Sequence, residues 1–94
     1  PTGGWRGFLL AAHVARLQAR WAPSPDRRTA LLRRADQFLR RALQEGGRNP
    51  ETLLAAAHIT QLQARPSSPQ EVRQLLDEAL RMDPRFEPAL RFKP

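Results

Sequence analysis

In RRTALLRRADQFLRRALQ (Arg27 to Gln44), the apolar residues Leu31, Leu32, Ala35, Phe38, Leu39, Ala42 and Leu43 recur at i, i+3, i+4 and i+7. That spacing lays them along one stripe of a helix. Arg27, Arg34 and Arg41 fall seven apart on the opposite side, flanked by Arg33 and Arg40. QEVRQLLDEALRM (Gln70 to Met82) carries the same kind of stripe in Val72, Leu75, Leu76, Ala79 and Leu80. No stretch alternates with period two, and β-branched residues are scarce. The pattern predicts an all-α chain with helices over about 6–22, 25–45, 50–65, 69–82 and 87–92.

The polar punctuation agrees. Ser24-Pro25, Asn49-Pro50 and Ser68-Pro69 each place a side-chain oxygen where it can accept from an orphan backbone N–H, followed by a residue that lacks one. Ser68 and Glu71 have the spacing of a capping box. Gly46-Gly47 suits the left-handed turn that closes a helix. Asp83-Pro84 reads as a closing turn, with the next helix opening near Glu87-Pro88.

Two stretches forty-five residues apart are nearly the same text: LLAAHVARLQAR (Leu9 to Arg20) and LAAAHITQLQAR (Leu54 to Arg65). Each is the first helix of a pair whose second helix ends in Ala-Leu, at Ala42-Leu43 and Ala79-Leu80. One helix pair cannot bury both of its apolar sides, so a second pair stacks on it and the seam becomes continuous.

LLDEALRMDPRFEPAL (Leu75 to Leu90) resembles the tetratricopeptide repeat. Its Ala79-Leu80, Asp83-Pro84 and Ala89-Leu90 match that family's A-L-x-x-D-P-x-x-x-x-A-L junction, and ALQEGGRNPETLL (Ala42 to Leu54) repeats the junction with Gly46-Gly47 in place of Asp-Pro. The resemblance implies one domain over 1–94, a right-handed stack of helical hairpins forming a fragment of an α-solenoid. Repeat 1 spans 6–47, repeat 2 spans 50–84, and a capping or third-repeat helix starts in 87–94. The family's close-packed small positions would be Ala11, Ala12, Ala56 and Ala57 on the first helices. Ala35 and Val72 would face them, with Leu39 and Leu76 behind. The repeat interval departs from the family's roughly thirty-four residues. It is thirty-seven between the Ala-Leu pairs and forty-five between the histidines, the surplus falling in the turns RWAPSPDRR and RPSSP. Val72 is larger than the usual alanine and is expected to open its helix pair slightly. Two repeats fall short of the three usually needed, which points to self-association or a longer parent chain.

The family's first helices line a concave face. Carried onto this chain, that face holds Leu9, His13, Arg16 and Arg20 from one copy and Leu54, His58, Gln61 and Arg65 from the other, with Leu17 and Leu62 beside the histidines. The lysine and asparagine with which some members grip a terminal carboxylate have no counterpart here, so that ligand does not carry over. An acidic or amphipathic peptide laid against aliphatic and guanidinium groups is the expected partner. The two histidines contact such a peptide, or were simply inherited with the duplicated text. A metal would need further ligands, and no cysteine or H-x-x-x-H spacing supplies them.

Composition adds a second option. The net charge is +7, and fifteen of sixteen basic residues are arginine, with Lys93 the only lysine. A basic chain invites a nucleic-acid reading, with Arg27, Arg28, Arg33, Arg34, Arg40 and Arg41 as the phosphate-binding row. Against it, the same row fits a solvated convex face offset by Asp26, Asp36 and Glu45. Arginine over lysine, with scarce isoleucine and asparagine and no tyrosine, is also what a GC-rich bacterial genome produces. Trp5 and Trp21 either stack on bases or, more in keeping with their place at the first helix's ends, seal a thin core.

Several classes fall away. The absence of cysteine removes disulfides, thiolate zinc sites and a cysteine nucleophile. No phosphate-cradling glycine loop, G-x-S-x-G or acid pair in an apolar setting occurs, so neither an enzyme nor a cofactor is expected. No apolar run is long enough to span a membrane. GFLLAAHVA, broken by His13, makes a poor leader, so a cytoplasmic piece of a larger bacterial protein is expected, with the periplasm as the alternative compartment.

Overall fold

The computed structural model describes residues 4–92. Five helices follow one another: α1 (Gly4–Arg20), α2 (Pro25–Gly46), α3 (Pro50–Gln63), α4 (Ser68–Met82) and α5 (Glu87–Leu90). No strand forms among the described residues. The fold is all-α, as the periodicity predicts.

The caps explain most of the boundaries. Ser24 Oγ accepts from the Arg27 N–H at 3.2 Å and starts α2. At α3 the cap is reciprocal: Asn49 Oδ1 accepts from Thr52 N–H, and Thr52 Oγ1 accepts from Asn49 N–H, each at 3.0 Å. Gly47 closes α2 with φ +71°, where its N–H donates to the Leu43 carbonyl. Asp83 closes α4 by donating to the Ala79 carbonyl, which is the role its sequence predicts.

The expected Ser68–Glu71 capping box does not form. α4 begins one residue earlier, so Ser68 is already helical, buried, and turned back to accept the Arg65 N–H at 2.9 Å. Glu71 instead takes the Ser67 hydroxyl and the Arg65 guanidinium, both at 2.7 Å.

α1 pairs with α2, α3 pairs with α4, and α3 also lies against both helices of the first pair. The assembly is only 19 Å thick by 38 and 34 Å, about two helix diameters. The close approach rests on alanine. Ala12 and Ala15 on α1 meet Ala35 and Leu39 on α2, and Ile59 of α3 completes that cluster; Ala19 packs with Leu31 and Leu32 in a second one. From Thr52 to Gln63 no residue of α3 is exposed, because neighbours cover it on opposite sides. A central helix of this kind has no polar stripe, which is why its sequence reads less amphipathic than its neighbours'. Trp5 seals the base of the first pair as expected: a methyl added at Gly46 would run into its ring. Trp21 corrects the same expectation. It stands 78% exposed, with Arg20 over its ring.

Candidate functional site

The duplicated first helices bring His13, Arg16 and His58 to one face. Arg16 Nη2 lies 2.7 Å from His13 Nδ1. Arginine can only donate, so His13 accepts at Nδ1 and its neutral form carries the proton on Nε2. Burial, then the Arg16 charge, lowers the His13 pKa. His58, on α3, is more deeply set and is pushed down from 6.5 to about 4, first by burial and then by the charges of Arg16 and His13. At neutral pH both rings are therefore uncharged, and Arg16 is the cation of the face. Its own pKa is lowered by burial and by Arg20, and among the described residues no carboxylate pairs with it.

The chain's last described residue joins this group. Phe92 follows α5 and tilts its ring against His58, with centroids 4.8 Å apart. That contact gives the face an aromatic edge which the sequence did not announce. The one available signal was the position of Phe92 just after the helix that opens beyond Asp83-Pro84.

The remaining predicted residues divide. Leu9 is half-buried against the first core cluster and acts as the wall of the face. Leu54 is likewise half-buried. Arg20 lies toward the other end, over Trp21. Arg65 turns away to Glu71 at 2.7 Å. Together with Gln61 it borders a different feature, a cleft of about 890 Å³ between α3 and α4 whose apolar walls include Ala64, Val72 and Leu76. Leu62 packs against Ala19, Leu31 and Leu32 in the seam between the pairs. Leu17 is 38% exposed, in line with other apolar residues of α1.

The arginine row on α2 is exposed, and much of it is engaged with its own surface. Arg40 pairs with Asp36 at 3.1 Å and Arg41 with Glu45 at 3.9 Å. Arg34 lies over Phe38 and Arg41 over Phe8, while Arg28 donates to the Leu62 carbonyl at 3.3 Å.

Among the described residues no cluster of histidine and acidic side chains could hold a metal ion, and no helix is long and apolar enough to cross a membrane. No family model matches the chain, and neither a curated protein nor a solved structure matches it.

Proposed function

We propose that this chain is a protein-interaction module of two tetratricopeptide-like helix pairs, binding an acidic, partly apolar peptide segment along the face built by α1 and α3. One observation carries the reading: Arg16 is half-buried, unmatched by any carboxylate among the described residues, bonded to the His13 imidazole and close enough to lower the pKa of His58, against whose ring Phe92 lies. A guanidinium held in place by His13 offers a peptide carboxylate a charge-assisted, oriented contact. Leu9, Leu54 and Phe92 supply apolar surface around it. Because packed helices fix the groups beforehand, little ordering cost is left for binding.

The arginine row supports a second reading, contact with nucleic acid. Its internal pairing with Asp36, Glu45 and two phenylalanine rings makes it the weaker one.

Selection of a random peptide library displayed on phage against the immobilised chain tests the proposal. Enriched peptides should combine Asp or Glu with aliphatic residues, and should lose binding to Arg16→Glu while retaining it to Arg34→Glu. Enrichment of nothing, or binding indifferent to Arg16→Glu, refutes it. A steep loss of binding to a DNA or RNA oligonucleotide with rising salt, abolished by Arg34→Glu, would favour the second reading.

A further inference from the structure

The internal repeat shows what the two ends of the molecule are shaped to receive. α3 docks on the first pair through Ala55, Ile59 and Leu62. The residues at the same places in α1 are Leu10, Val14 and Leu17, and among the described residues no second pair covers them: they are 64%, 46% and 38% exposed, and Trp21 extends the row. At the opposite end, the seat that Ala35 and Leu39 offer to Ile59 recurs as Val72 and Leu76. There both residues line the cleft between α3 and α4, Val72 with little exposed surface and Leu76 with more. Among the described residues, one end therefore carries an unused plug and the other a socket occupied only at the place of α5.

We infer that a second copy of this chain seats its α1 row, Val14, Leu17 and Trp21, in the α3–α4 cleft, head to tail. Charge selects this orientation over pairing of two α1 rows. Between Gly4 and Gly46 the chain carries nine arginines against three acidic residues, whereas residues 50–92 carry five against six. An α1-to-α1 contact sets two strongly basic halves together; the head-to-tail contact sets a basic half on a nearly neutral one. Ala89 occupies the place of Thr52 and is buried like it, so α5 fills the site of the incoming helix's first turn. This four-residue helix gives way as the copy seats. The interface is heterologous, and nothing in its geometry requires it to stop at two copies.

Sedimentation velocity over a concentration series, with far-UV circular dichroism as a folding control, tests this. The wild-type mass should climb with concentration. Val14→Glu on the plug and Leu76→Arg in the socket should each weaken association by about tenfold or more, the scale of a central interface residue. If Leu76→Arg loses helical signal, Ala64→Trp at the cleft rim takes its place with the same expectation. Each variant keeps one intact end, so mixing a plug variant with a socket variant should restore association that stops at twice the monomer mass. A wild-type chain that stays monomeric throughout overturns the inference. So does sensitivity to Val14→Glu without sensitivity to the socket variants, which would indicate α1-to-α1 pairing, or failure of the mixture to associate.

Discussion

Replacing His58 with glutamine should flatten the dependence of stability on pH between about pH 6.5 and 4. In the fold, the ring is held to about 4 by burial and by the Arg16 and His13 charges; in the unfolded chain it returns to 6.5. As pH falls through that window the unfolded chain binds the proton and the folded chain does not, so stability drops. It is fully present above 6.5 and the loss levels off near 4, where the folded ring also takes the proton. A separation of this size is worth about 3 kcal/mol at full strength; solvent screening at a half-buried ring reduces the expected figure to about 1.5 kcal/mol. For a chain of this length that is a fall of about 6–12 °C in Tm. Urea unfolding followed by circular dichroism at a series of pH values, on wild type and His58→Gln, reads it directly. Carboxylates that titrate at the acid end do so in both proteins and cancel in the difference. Parallel curves for the two proteins would show that His58 does not sit among these charges in solution.

Leu53 is 1% exposed in the first turn of the central helix, and Leu53→Ala should cost about 2–5 kcal/mol in chemical denaturation. Asn49→Ala removes half of the reciprocal cap on α3; a loss of about 1 kcal/mol is expected, with helix content otherwise kept. Arg48 grips Glu78 with two bonds, at 2.7 and 2.9 Å, tying the inter-pair turn to α4. Hydrogen bonding from Arg48 lowers the Glu78 pKa, so Glu78→Gln should remove a small stabilisation that wild type holds at neutral pH and loses below the usual carboxylate range. Both groups are largely exposed, so the double-mutant cycle should return about 1 kcal/mol or less.

The parts of the fold written as local chemistry were legible. Apolar period, X-Pro caps and Gly47 placed α2 and α3 within a residue or two, and the family resemblance pointed to small positions of which Ala12, Ala35 and Ala57 prove buried and Ala11 and Ala56 half-buried. What the sequence concealed depends on neighbours. Ser68 looks like a cap until the turn before it is seen to need a hydroxyl for the Arg65 N–H. Leu17 and Leu62 hold the same place in the repeated text, yet one meets solvent and the other the first pair, because only α3 has a pair behind it. The histidine face was visible as a pair of matching letters. Its coupling through Arg16 and its closure by Phe92 are distances across helices, which no local pattern encodes.

The alanine seam inverts the usual map of mutational tolerance. In a domain with a deep core, the bulkiest side chains are the least replaceable and a methyl group is an afterthought. Here two backbones are held together by the smallness of what separates them, and the body is too shallow for displaced atoms to move elsewhere. Ala12, Ala35, Ala57 and Ala79, each with no exposed surface, are therefore the positions where added volume does most harm. The large residues on the faces are where this scaffold can vary and keep its shape.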